Sequence, residues 1–397
     1  MAATDSTERW FTRQRLRIYP RIFIGVYSVI IIFWTATQFL LADEPPNSLR
    51  NDFAGFWSVG QLVLESRSAE AYIPQRAYEA QEKFIPDHEV RLPWFYPPQF
   101  FFVVGSLARL PFLPAFFVWT LGSVVCLAFA LRAVAPHPLT IWIFLASPGL
   151  FWTLRWGQSG ILAAALIGGA VYLMARRKHI GAGVLTALLT FKPHLGLLIP
   201  FALIAARQWR VFAVAATTTV LMAGFSTLAF GPEIWTKFLG AIETSFAMQL
   251  SGALPANQMV SISAFLNSLG SPPEIERVAQ LILSIFVLIV ICFVWWRSGP
   301  SLLSGAVLIA GSLLVTPHIL GYDLMLFAPA IAILAWDGFQ RGWLRGERTS
   351  LALLWLWPWI SESIQHVTRV NVGVVGSLLL FVLVYRRHQV TGCLVRN

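Results

Sequence analysis

At 397 residues, 57% apolar and only 12% charged, the chain has too little polar surface to cover itself as a soluble domain, in which about a quarter of residues are charged. Its formal net charge of +10 does not mark a nucleic-acid binder, because the basic residues sit in short clusters between apolar runs, where membrane topology places them. Its three cysteines, Cys126, Cys292 and Cys393, are far apart and two lie inside apolar runs, which excludes a disulfide framework or a zinc spacing. The expected class is an all-α polytopic membrane protein. A single integral domain over 1–397 is expected, since apolar runs recur from residue 21 to 387 without a long polar linker.

Residues 1–21 carry Arg9, Arg13, Arg15, Arg17 and Arg21, which marks a cytoplasmic tail. The apolar run 22–42 is too long for a signal peptide and no convincing cleavage site follows it, so it reads as a spanning anchor. An outer loop over 43–110 comes next, with two or three short amphipathic helices. Arg76, Tyr78, Glu79, Glu82 and Lys83 are spaced for a helix lying flat on the membrane. The segment 99–110 is too short to cross about 30 Å of hydrocarbon and reads as embedded at the outer surface.

A transmembrane bundle is expected over 112–386. Its spans fall near 112–134, 139–154, 159–175, 180–191, 193–206, 210–230, 276–297, 300–316, 319–336, 350–365 and 371–386. With the first run this makes about twelve, and the tail 387–397 returns to the cytoplasm. The pieces 180–191 and 193–206 are too short alone and form a hairpin whose tip is Lys192-Pro193. The cluster Arg176-Arg177-Lys178 and most other arginines then fall on the cytoplasmic side. No internal repeat is visible, which weighs against the transporter folds built from repeats.

This topology gathers the stray polar groups at the outer side. Asp52 follows the first span. WFYPPQF (94–100), LRWGQSG (154–160), TFKPHLG (190–196) and TPHILGYDL (316–324) bring up Tyr96, Arg155, Gln158, Lys192, His194, His318, Tyr322 and Asp323, with Arg91 in the loop. Cations beside one or two carboxylates suit an anionic ligand and acid–base chemistry. Lys and Arg give charge-assisted hydrogen bonds to phosphate, and His318 could donate to the same group or titrate near neutrality. Trp94, Phe95, Tyr96 and Trp156 supply flat faces for a sugar ring or a prenyl chain. A lipid-linked phosphosugar combines the three needs.

Plainer roles stand beside these. Asp52 could cap a helix, Lys192 could snorkel or cap, His318 could be interfacial, and Asp323 could pair with a structural partner such as Arg155. Asp87-His88-Glu89 could touch a metal, but three adjacent side chains converge poorly and a solvated loop is the simpler reading. Three functions remain in view: a sugar transferase, a transporter or flippase of a lipid-linked or anionic substrate, and a non-catalytic scaffold. A transporter needs polar groups through the inner halves of the spans, and few are there.

Asp52 after the first span resembles the catalytic Asp position of the GT-C glycosyltransferases. The YPP at 96–98, GQ at 157–158, FKP at 191–193 and TPH…YD at 316–323 resemble glycosyltransferase family 87. The resemblance covers roughly residues 50–330. It implies a GT-C-like bundle and a polyprenyl-phosphate sugar donor, most simply polyprenyl-phosphate mannose, used at the outer face of the inner or plasma membrane. The acceptor would be a hydroxyl of a glycolipid or glycan. The resemblance implies Asp52 as base, with Lys192 and His318 near the donor phosphate. One base and one in-line displacement imply inversion at C1. No cofactor and no metal are expected, since the first loop lacks an Asp-X-Asp pair.

Overall fold

The computed structural model describes residues 13–40, 52–85, 92–250 and 258–394. Arg91 and the Asp87-His88-Glu89 run lie outside the described residues, as does Asn51. The described chain is helical throughout, apart from connecting turns and one isolated antiparallel bridge between Met259 and Leu320.

Helix α1 (Arg13–Leu40) stands at the edge of the bundle. It is anchored by the stacking of Tyr27 on Phe151, with ring centroids 4.6 Å apart, and by Phe23 edge-on to Trp355. Much of its remaining apolar surface is exposed, which suits lipid contact rather than water. Helix α2 (Phe53–Leu64) corrects the expectation that the whole polar loop lies on the surface. Phe53, Phe56, Val59 and Leu62 are buried, so α2 plugs into the bundle. Only α3 (Pro74–Phe84) has the flat amphipathic form: Ala77, Ala80 and Gln81 face inward while Arg76, Glu79, Glu82 and Lys83 are exposed. Helix α4 (Phe101–Leu107) then packs along α2.

Helices α5 (Phe112–Val134), α6 (Leu139–Leu145), α7 (Pro148–Trp156) and α8 (Gly160–Ala175) follow. The expected span 139–154 is thus two pieces, because Pro148 lacks the N–H that would continue α6. Helix α8, GILAAALIGGAVYLMA, is buried around most of its circumference. Its small residues let neighbouring backbones approach, and it packs on α5, on α9 (His179–Leu188) and on later elements. The hairpin tip after α9 consists of two single turns, Leu189–Phe191 and Pro193–Gly196, and leads to α10 (Ile199–Ala205).

Helix α11 (Trp209–Phe230) lies along α9. Between 231 and 275 no element is expected from hydropathy, yet α12 (Glu233–Leu250) and α13 (Ile262–Ser268) form there. Helices α14 (Pro273–Ser298), α15 (Leu302–Ser312) and α16 (Phe327–Arg341) come next, with the tight turn Gly321–Leu326 before α16. The chain closes with α17 (Glu347–Thr368) and α18 (Gly373–Leu394). The tail boundary drawn at 387 falls inside α18. There Arg387 is buried and its guanidinium donates to Asp337 at 2.6 Å and Glu347 at 2.8 Å, tying α16, α17 and α18 together. A buried cation is tolerable only with such partners.

Five segments among the described residues are long and apolar enough to cross a membrane: Gln14–Phe33, Phe112–Val134, Trp209–Phe230, Pro273–Ser298 and Gly321–Arg341. Several other apolar runs counted toward twelve are shorter or broken helices. The architecture is that of a helical integral membrane protein.

Candidate active site

Five separate segments meet at one end of the bundle, where α8 begins. The tight connection Gly157-Gln158-Ser159 between α7 and α8 lies at its centre. Gly157 ends α7 in the left-handed region, with φ +66°, and a side chain there would meet Cβ of Phe53 at 2.7 Å. Gly160 lets the chain pass against the turn that carries Tyr322: a Cβ would sit 2.1 Å from the Tyr322 carbonyl oxygen. The two glycines therefore allow Phe53 and Tyr322, from distant parts of the sequence, to close on the same turn.

Gln158 is buried and its Nε2 donates to Oδ2 of Asp52 at 2.8 Å. Asp52 occupies the N-cap position of α2, but its side chain makes no capping hydrogen bond. The plain helix-cap role is therefore not the one this carboxylate plays. It is partly exposed, so a substrate can reach it while Gln158 fixes its orientation. Next along the turn, Oγ of Ser159 lies 2.9 Å from the Tyr96 hydroxyl. Burial keeps the Tyr96 phenol protonated well past its ordinary range. The Ser159 hydrogen bond opposes this shift, and the nearby carboxylates of Asp323 and Asp52 reinforce it. Tyr96 thus stands within electrostatic reach of both acids.

Close to Tyr96 lies a buried ion pair. Nζ of Lys192 is 2.5 Å from Oδ1 of Asp323, and the two side chains are 4% and 1% exposed. These low exposures mean that the pair is sealed from solvent. The ammonium also stands 4.4 Å from the centre of the Tyr322 ring, a cation–π contact that is strong when desolvated. Oδ2 of Asp323 accepts from the Leu320 amide at 3.2 Å, and Nε2 of His194 lies 4.0 Å away, too far for a hydrogen bond. Lys192 therefore neither snorkels nor caps. Asp323 is engaged by Lys192 rather than by Arg155, whose guanidinium lies 5.5 Å from the ring centres of Trp152 and of Trp156. The buried Lys192–Asp323 pair is the contact that sequence reading missed. A lysine and an aspartate in separate apolar runs were the available signal, since neither charge survives there unpaired.

His318 packs edge-on to Phe246, with centroids 5.2 Å apart. Its imidazole does not titrate near neutrality in the unliganded protein. Burial first, and repulsion from His194 second, push its pKa down to about 4. The folded protein holds His318 neutral where an unfolded chain begins to protonate it, near pH 6.5. The stability this contributes is complete above about pH 6.5 and is lost as pH falls toward 4. His318→Phe is therefore expected to flatten the fall in thermal midpoint between pH 6.5 and pH 4. An unchanged pH profile in that variant contradicts the assignment.

Trp94 does not offer a face to a ligand. It is 4% exposed inside an aromatic cluster, stacked on Phe100 and Phe101. No group of three His, Cys, Asp or Glu side chains suited to a metal converges among the described residues.

The region 94–317 matches the family model of glycosyltransferase family 87, which covers more than half of the chain. The chain belongs to glycosyltransferase family 87. No curated protein and no solved structure matches it. The region matched to the family holds Tyr96, Arg155, Gln158, Lys192 and His194. Asp52, His318, Tyr322 and Asp323 fall outside it, and it is the fold that carries Asp52, Tyr322 and Asp323 to the family's segments. A membrane glycosyltransferase of this kind needs a sugar donor, an acceptor and a place where both meet the bilayer.

Proposed function

We propose that this family 87 glycosyltransferase moves a sugar, most simply mannose, from a polyprenyl-phosphate donor to a hydroxyl of a glycolipid or glycan acceptor. The single observation that carries the reading is the carboxylate of Asp52, aimed by Gln158 at 2.8 Å and gathered with the buried Lys192–Asp323 pair around Tyr96, which both acids influence. One group of the site can accept a proton and another can meet an anion.

In the reaction, the acceptor oxygen forms a bond to C1 of the sugar as the bond from C1 to the phosphate oxygen breaks. Asp52 takes the acceptor's proton. The electron pair of the broken bond leaves with the polyprenyl phosphate. Charge gathering on that phosphate is met by Lys192, with His318 and His194 as neighbouring donors, and preorganised donors are worth most at such a developing charge. Attack on the face opposite to departure inverts C1. The transition state is oxocarbenium-like by analogy with glycoside hydrolysis. Phosphate leaves readily, so a general acid is not needed. The cluster Arg176-Arg177-Lys178 follows the end of α8 opposite to the site, and the tendency of arginines to stay inside supports a site on the outer face of the inner or plasma membrane.

The test is donor discrimination by purified protein in liposomes. Transfer is expected from polyprenyl-phosphate mannose and not from a nucleotide sugar. Turnover with the nucleotide sugar alone overturns the donor reading. Movement of intact lipid across the bilayer without transfer favours the flippase alternative.

A further inference from the structure

The segment between α15 and the turn at Gly321 carries His318, and its backbone is not helical. Pro317 lacks an amide N–H, and the His318 amide donates sideways to Oγ1 of Thr316 at 3.3 Å. The carbonyls of Leu314 and Val315 are therefore left over at the end of a helix inside a membrane protein. Leu314 and Val315 are buried, and buried backbone persists without a helix only where other protein groups satisfy it.

Those groups come from α14. Nε2 of Gln280 donates to the Leu314 carbonyl at 2.9 Å. Oγ of Ser284, one turn on, lies 2.9 Å from the Val315 carbonyl and 2.7 Å from the carbonyl of Gln280, so one hydroxyl proton serves both acceptors. Gln280 is 6% exposed and sits in a segment that is otherwise among the most apolar of the chain. An amide and a hydroxyl at i and i+4 of such a helix are costly to bury unless they are used. The opposite edge of the segment is held as well: the Val260 amide donates to the Ile319 carbonyl at 2.6 Å.

We infer that Gln280 and Ser284 are positioning residues, which clamp the unwound 314–320 segment and thereby set His318 and the turn of Tyr322 and Asp323 against the donor phosphate. The clamp touches no substrate itself. Its effect on the donor rests on the function proposed above, whereas its effect on the backbone does not.

Two measurements separate these. Hydrogen exchange of the purified protein reads the segment directly. Ser284→Ala and Gln280→Leu are expected to speed exchange over 314–320 while α8 and α16 keep wild-type protection. Kinetics read the consequence. The donor KM is expected to rise roughly 10- to 100-fold, the factor that about 1.4–2.8 kcal/mol of lost donor binding gives, with the acceptor KM unchanged and with Ser284→Thr restoring the wild-type value. A merely structural role lowers the thermal midpoint without splitting the two KM values. If Gln280→Leu does not fold, Ser284→Ala alone decides. Wild-type exchange over 314–320 in the variants overturns the clamp. Faster exchange with an unchanged donor KM overturns the positioning role. If wild-type protein takes no polyprenyl-phosphate sugar, the donor reading fails while the exchange data still decide the clamp.

Discussion

Asp52→Asn is expected to lower sugar transfer by about 10²- to 10⁴-fold, the usual contribution of a positioned general base, with donor affinity close to that of the wild type. The geometry explains the asymmetry. Asp52 accepts from Gln158 at 2.8 Å on one oxygen, whereas Lys192 is paired with Asp323, so removing the Asp52 charge does not strip Lys192 of its partner. An asparagine keeps the shape and can still accept from Gln158, but it cannot take a proton from an alcohol. The fold is expected to tolerate the change, because the side chain makes no capping bond to α2. Single-turnover transfer at saturating donor, with donor binding measured separately, checks the split. Wild-type turnover in the variant removes Asp52 from the chemistry, and lost donor binding reassigns it to the phosphate side.

The helical membrane class was legible because composition alone decides it, and the polar segments 94–100, 154–160, 190–196 and 316–324 could be placed together from topology. The internal geometry was less legible. Sequence pattern treats each apolar run as one helix, yet Pro148 breaks the run 139–154, whereas the break at Lys192-Pro193 is readable because the pieces on either side are too short to span alone. The burial of α2 was hidden because FAGFWSVGQLVL follows a polar stretch and is too short to span. The partner of Asp323 could not be read from spacing, since Lys192 lies 131 residues away and the partner named from sequence was Arg155. The close approach of that turn to Gly160, where a Cβ would clash with the Tyr322 carbonyl, is a tertiary contact of the same kind.

That pair supports the second large effect, which separates stability from chemistry. Lys192→Met leaves the Asp323 carboxylate buried and short of its main partner, and Asp323→Asn leaves the Lys192 ammonium in the same position. Breaking a buried pair from one side costs about 3–5 kcal/mol, most of it the uncompensated charge. Each single variant is therefore expected to show a large drop in thermal midpoint in detergent. The double variant Lys192→Met/Asp323→Asn removes both charges, and its asparagine can still accept from the Leu320 amide that Asp323 now holds at 3.2 Å. Its midpoint is expected to recover toward wild type, because neutral replacements of buried pairs are often as stable as the pair. Donor binding is not expected to recover with it, since no ammonium remains to meet the phosphate. Single variants as stable as the wild type show that the pair is not held in a dry environment. A double variant that binds donor normally shows that Lys192 serves only Asp323, and the anion site then passes to His194 and His318.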